Sequence, residues 1–158
     1  MNKYTVINIE NIEELVLAID DAISEKELEF VDKYTDLSVL SNISRLHELV
    51  FKGKVWGVLE LNEREEVLDF FLIELPGEIY PNLTYCTALI WYGTSTNLFD
   101  YMVKSLSKEY GNTIKKIKFK VISDCNFNDY NLNLLNKLKK ELEIKAGNRI
   151  MSTYVYYL

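Results

Sequence analysis

The chain has 158 residues, 48% hydrophobic and 13% aromatic with only two prolines, which fits one globular domain over residues 1–158 and excludes a disordered chain. No apolar run is long enough to cross a membrane, and the early acids of MNKYTVINIENIEE do not read as a signal peptide. Net charge is −6, but residues 1–80 hold 18 acidic against 7 basic residues, a balance of −11, while residues 81–158 hold 6 against 11, a balance of +5. The split suggests one acidic and one basic face, or two partners of opposite sign, and the total disfavours nucleic acid as a partner. Cys86 and Cys125 form no framework or metal pattern, so free thiols in a reducing, cytoplasmic setting are expected. The single histidine, His47, leaves no structural zinc site and no metal is expected.

In chain order, Tyr4 to Glu10 is β-branched and reads as a first strand. Asn11 is a helix N-cap, and Ile12, Leu15, Val16, Ile19 and Ile23 recur at helical spacing over residues 12–24. A second helix is expected over 37–50, ending at Gly53, with His47 one position off its apolar stripe. Strands follow at 55–61, 66–75 and 83–92, joined by the polar turn 62–65 and the loop 76–82. Together they read as an antiparallel meander.

The stretch from Ala88 to Ser123 organises the rest. A strand runs into the small polar loop Gly93, Thr94, Ser95, Thr96 and Asn97. A helix over 98–110 follows, with Phe99, Met102, Val103 and Leu106 as its apolar stripe, and then a strand over 115–122. A helix between two such strands is a βαβ crossover and makes them parallel neighbours. Backbone N–H groups at the helix start can face a bound anion, although most strand-to-helix loops are polar simply to cap the helix. Lys116, Lys118 and Lys120 alternate with Ile117, Phe119 and Val121, so one face of that strand meets water. Leu132, Leu135, Leu138 and Leu142 mark a last helix with Lys137, Lys139 and Lys140 on its polar side, and residues 150–158 form a terminal strand.

This order, β, α, α, β, β, β, α, β, α, β, resembles the GNAT superfamily, the Gcn5-related N-acetyltransferases. The resemblance covers nearly the whole chain and is one of order and spacing. It implies an α/β (α+β) fold with a mixed sheet, an antiparallel meander followed by the βαβ crossover, and helices on both faces. It also implies that Gly93, Thr94, Ser95, Thr96, Asn97 and Leu98 match the loop that cradles the pyrophosphate of acetyl-CoA, with Trp91 and Gly93 near the pantetheine arm. The Asn-containing turn of the family is matched within VISDCNFNDYNLNLLNKL, at Asn126 and Asn128. The chain departs from the family pattern in several places, including Leu142-Glu143 where the family has Gly-Phe after the last helix. Its loop, YGTSTN, has one glycine and no basic residue, and Asp100 lies in what reads as the first helical turn, where it would repel phosphate. Leu134, Leu135 and Leu138 stand where the family often has a tyrosine acid in the last helix, so Tyr130 is the nearest candidate.

Acyl transfer to an amine needs a base for the ammonium proton, polarisation of the thioester carbonyl and an acid for the thiolate. Asp69, set between Leu68 and Phe70, is the most unusual carboxylate and the candidate base, unless its strand face is open to solvent. Glu60 and Glu74 are similar but nearer strand ends, and Cys125 reads as an inert thiol. The expected function is therefore an acyl-CoA-dependent N-acyltransferase acting on a small-molecule or peptide amine. The alternative is a non-catalytic GNAT-like module that binds a basic partner, as a regulator or an immunity-type protein does. The tyrosine-rich terminal strand, if it lies at an edge, can pair with a second copy to give a homodimer.

Overall fold

The structure, a computed structural model, describes residues 1–22, 51–75, 85–91, 96–124, 136–147 and 149–158. The expected helix over 37–50, His47 and the loop 76–82 lie outside the described residues.

Seven strands form one sheet in the order β1-β2-β3-β4-β5-β7-β6. They are β1 (Lys3–Val6), β2 (Val55–Leu61), β3 (Val67–Glu74), β4 (Tyr85–Trp91), β5 (Lys116–Asp124), β6 (Lys139–Ala146) and β7 (Arg149–Tyr157). The described helices are α1 (Ile12–Ala22) and α2 (Thr96–Tyr110). β1 to β4 pair antiparallel in sequence, as a meander should, and β4 pairs parallel with β5. The expected mixed sheet with a crossover is therefore present.

The first strand is shorter than its β-branched run suggests. It stops at Val6 because Asn8 takes over the backbone: its Oδ1 accepts from the N–H groups of Glu10 and Asn11 at 2.8 and 3.2 Å. Asn11 holds the N-cap position, since its carbonyl accepts from Leu15 N–H, but its side chain reaches back to Asn8 N–H at 2.8 Å. Between β2 and β3, Asn62 Oδ1 accepts from the N–H groups of Arg64 and Glu66, and Glu65 adopts a φ of 61°. This is an Asx-type turn.

The two helices lie on opposite faces. α2 covers the face that carries Tyr4, Trp56 and Phe71: Tyr4 stacks against Tyr101 at 5.5 Å, and Trp56 Nε1 donates to Glu109 at 2.9 Å. α1 lies over the other face, where Lys3, Thr5 and Leu61 share a polar cleft with Asn11 and Glu14. β2 is buried along its whole length for this reason, and its near-continuous apolar sequence matches a strand covered on both sides. Gly57 is required there, since a Cβ would stand 2.3 Å from the Phe71 carbonyl oxygen and 2.6 Å from Ile7 Cδ1.

The C-terminal third corrects the sequence reading. Residues 136–138 form a turn and residues 139–146 form β6, so the expected helix does not extend to Leu142. The Leu135, Leu138 and Leu142 spacing mimics a helix, whereas Leu142, Ile144 and Ala146 alternate as a strand. A bulge between Lys140 and Leu142 hides that alternation. It places Lys140 and Glu143 on one face, where their side chains meet at 2.5 Å. Lys139 and Lys140 are thus strand residues and do not line the polar side of a helix. The tyrosines of β7 divide: Tyr156 packs edge-on to Phe99, while Tyr157 is exposed and its hydroxyl donates to Glu141.

Phe99 is fully buried and touches three strands. Its ring lies 6.0 Å from Phe71 of β3, 6.3 Å from Phe119 of β5 and 5.1 Å from Tyr156 of β7. Phe99→Ala is expected to cost about 3–5 kcal/mol, measured by urea unfolding. Cys86 is 1% exposed, and burial pushes its thiol up to about 12. A folded-state value raised this far keeps the thiol protonated at pH 8–9. In a Cys125→Ser background, Cys86 is therefore expected to react with a thiol reagent only as fast as the chain unfolds.

Candidate active site

The parallel ladder between β4 and β5 is short. Tyr85, Cys86 and Thr87 pair with Lys116, Ile117 and Lys118. Both strands then run on, β4 to Trp91 and β5 to Asp124, and among the described residues the ladder does not resume. β3 holds the outer edge of β4 as far as Trp91, and β7 holds the outer edge of β5 as far as Asp124. Two parallel neighbours that continue without pairing leave a cleft between them, with backbone N–H and C=O groups facing inward.

α2 begins at the end of the sheet where this cleft opens. Of the described loop candidates, Thr96 is half-buried, Asn97 is exposed, and Leu98 has its side chain wholly in the core. Leu98 can therefore offer a ligand its backbone but not its side chain. The first helical turn has no acidic residue. This corrects the reading of Asp100: because α2 begins at Thr96, Asp100 falls in its second turn, and Lys137 Nζ binds its Oδ1 at 3.0 Å. The repulsion expected there is offset by Lys137, a cation that the leucine spacing assigns to the polar side of a helix. Lys137 also lies 5.7 Å from the Phe99 ring. No local signal links positions 37 residues apart.

Asp69 is 6% exposed, so the solvent-open alternative does not hold. Its Oδ1 accepts from Phe70 N–H at 2.7 Å. Directly across the ladder stands Glu60, 8% exposed, whose Oε1 accepts from Asn2 Nδ2 at 2.8 Å. Tyr4 is the register partner of Glu60 on the other side. Two carboxylates facing each other across neighbouring strands repel, and the Asn2 and Phe70 donors offset part of that cost. The sequence does not signal this pairing: the turn at residues 62–66 sets Leu61 against Val67, which by regular pairing would put Glu60 opposite Leu68, and a bulge between Glu60 and Leu61 shifts the register to bring Glu60 opposite Asp69. Glu74, the third candidate, is exposed.

Asp69 lies two residues up β3 from Phe71, whose partner Trp91 is the last described residue of β4. The carboxylate pair and the start of α2 therefore share one end of the sheet. Gly93, Thr94, Ser95, Cys125, Asn126, Asn128 and Tyr130 lie outside the described residues.

By sequence, the chain matches no protein-family model and no curated protein. By structure it is similar to acetyltransferases over its full length. An N-acetyltransferase of Staphylococcus aureus Mu50 gives a TM-score of 0.64 at 11% identity, covering 99% of this chain and 98% of that one. A Salmonella typhimurium acetyl transferase that modifies the N-terminal serine of a 50S ribosomal subunit protein gives 0.63 at 12% identity, covering 99% and 95%. An acetyltransferase of the GNAT family from Staphylococcus aureus Mu50 gives 0.60 at 11% identity, covering 100% and 99%. With the meander, the short parallel ladder and the helix that crosses between its strands, this likeness establishes that the chain is a divergent bearer of the GNAT fold.

Proposed function

We propose that the chain is an acyl-CoA-dependent N-acyltransferase that moves an acetyl group from acetyl-CoA to a primary amine of a small molecule or peptide. The observation that carries this reading is the cleft between β4 and β5 beside the start of α2. Two inward-facing strand edges suit the amide groups of a pantetheine arm. A first helical turn without carboxylates, in a segment whose balance is +5, suits phosphates. The backbone at Trp91, Thr96, Asn97 and Leu98, completed by Gly93, Thr94 and Ser95, would hold the cofactor, with Asn126 and Asn128 beside its arm. When bound, acetyl-CoA supplies an activated acyl thioester.

The remaining work falls to this chain's own groups. Asp69 is the proposed base that accepts the acceptor's ammonium proton, and Glu60 holds negative charge beside it. Tyr130 is the proposed acid for the departing thiolate. The balance of −11 over residues 1–80 suits a cationic acceptor. A peptide α-amine belongs in that class, since one structural neighbour modifies a protein's N-terminal serine. The second reading, a binding module without turnover, rests on the sequence departures: the loop YGTSTN has one glycine and no basic residue, and leucines stand where the family often has its tyrosine acid.

Calorimetry is expected to show acetyl-CoA binding to the folded chain, and its absence would overturn the proposal. Asn97→Glu should weaken that binding about tenfold, through repulsion at the first turn. The same change should leave the melting temperature unchanged or slightly raised, since a carboxylate suits a helix N-terminus. Asp69→Asn, close to isosteric, should lower kcat about a hundredfold with little change in KM and remove the acid limb of the pH profile. Unchanged turnover in that variant would remove Asp69 as base and leave it a purely structural role.

A further inference from the structure

β6 ends the sheet, with β7 on one side and no strand pairing on the other among the described residues. It carries exposed aliphatic side chains, Leu142 at 50% and Ile144 at 45%, beside Met151 of β7 at 36%. Met151 is the register partner of Ile144, so the two form one apolar row running out to the open edge. These residues lie on the face opposite α2: they share the register face of Val155 and Tyr157, whereas Tyr154 and Tyr156 alternate onto the α2 side. On that α2 side β6 presents Glu143 and Lys145, again by alternation, with Lys140 bound to Glu143.

From this arrangement we infer that β6 pairs antiparallel with β6 of a second copy, about a two-fold axis passing through Ile144. The sequence of the edge is self-complementary about that residue. Antiparallel pairing centred there sets Ile144 opposite its own counterpart and extends the Met151–Ile144 row unbroken into the second copy. It sets Glu143 of each copy directly opposite Lys145 of the other, giving two cross-strand pairs of opposite charge on one face. It sets Leu142 opposite Ala146 of the second copy. Moving the axis two residues back, to Leu142, would put Glu141 opposite Glu143 and an aliphatic residue opposite Lys140, so the register is specified as well as permitted. Lysines on an edge strand commonly discourage pairing, but here Lys145 meets a carboxylate of the incoming strand. A two-fold of this kind keeps both α2 faces on one side of a continuous sheet. The inference is independent of whether the chain transfers acyl groups.

Light scattering coupled to size-exclusion chromatography tests it on the full chain, over a concentration series reaching about 1 mM to include weak pairing. The mass is expected to move from the 18.5 kDa of one chain to twice that value. Glu143→Lys and Lys145→Glu, each made alone, place like charges opposite each other twice per dimer and should raise the dissociation constant about tenfold or more. The double reversal should restore it, which no loss of folding would do. Ile144→Cys should give a disulfide-linked dimer under mild oxidation, because residues directly opposite in a ladder stand within disulfide range. Glu13→Cys, on the exposed side of α1, should not. A single-chain mass throughout the series overturns the inference. So does a dimer indifferent to both charge reversals, or cross-linking at Ile144→Cys no faster than at Glu13→Cys.

Discussion

One aromatic ring spans the cleft that defines this molecule. Where β4 and β5 stop pairing, no backbone ladder among the described residues holds the two halves of the sheet together, and Phe99 makes side-chain contacts to β3, β5 and β7. The cleft can exist because α2, lying across the face, closes the molecule from above. The helix is fastened at both ends: near its start Lys137 binds Asp100, and at its end Trp56 donates to Glu109. The helix that would present N–H groups to a phosphate is thus also the clamp on the split sheet. Any ligand in the cleft sits beside a fixed wall.

The carboxylates at the same end of the sheet follow a similar logic. Glu60 and Asp69 are buried face to face, and each is given a nearby donor. A fold under no functional demand gains little from opposing two buried acids, since apolar residues of similar size avoid the repulsion. In the proposed chemistry, their position beside the start of α2 would let the pair meet a cationic acceptor. This is the physical reason for keeping Asp69 at the centre of the proposed chemistry.

Much of this was legible in the sequence, and for identifiable reasons. β2, β3, β4 and α2 were foreseen within two residues: α2 has a clean helical period, the strands are runs rich in aliphatic, β-branched and aromatic residues, and β2 and α2 end on turns of strong chemistry at Asn62–Glu65 and Tyr110–Gly111. At Gly111 a Cβ would meet the Ser107 carbonyl oxygen at 2.2 Å, so the stop signal is steric. β6 was missed because the bulge at Lys140–Leu142 breaks the strand period and leaves leucines at helical spacing. β1 was overdrawn because the side chain of Asn8 ended a run that its apolar residues would have continued. In the site, Asp69 could be singled out as a lone acid in an apolar strand. Lys137 could not be paired with Asp100, because only the folded chain brings the start of α2 and the approach to β6 together.

The short ladder between β4 and β5 also bears on the order in which the chain folds. β2 with β3, and β6 with β7, are hairpins with brief connections, so they close at small entropic cost. Joining β4 to β5 requires the whole of α2 to be laid down in between and yields three paired positions among the described residues. Little is gained from that join until Phe99 seats, so loop-closure entropy predicts that the two halves of the sheet form separately and unite late. The cleft is then the seam along which the protein is assembled, and local opening should begin along the same line.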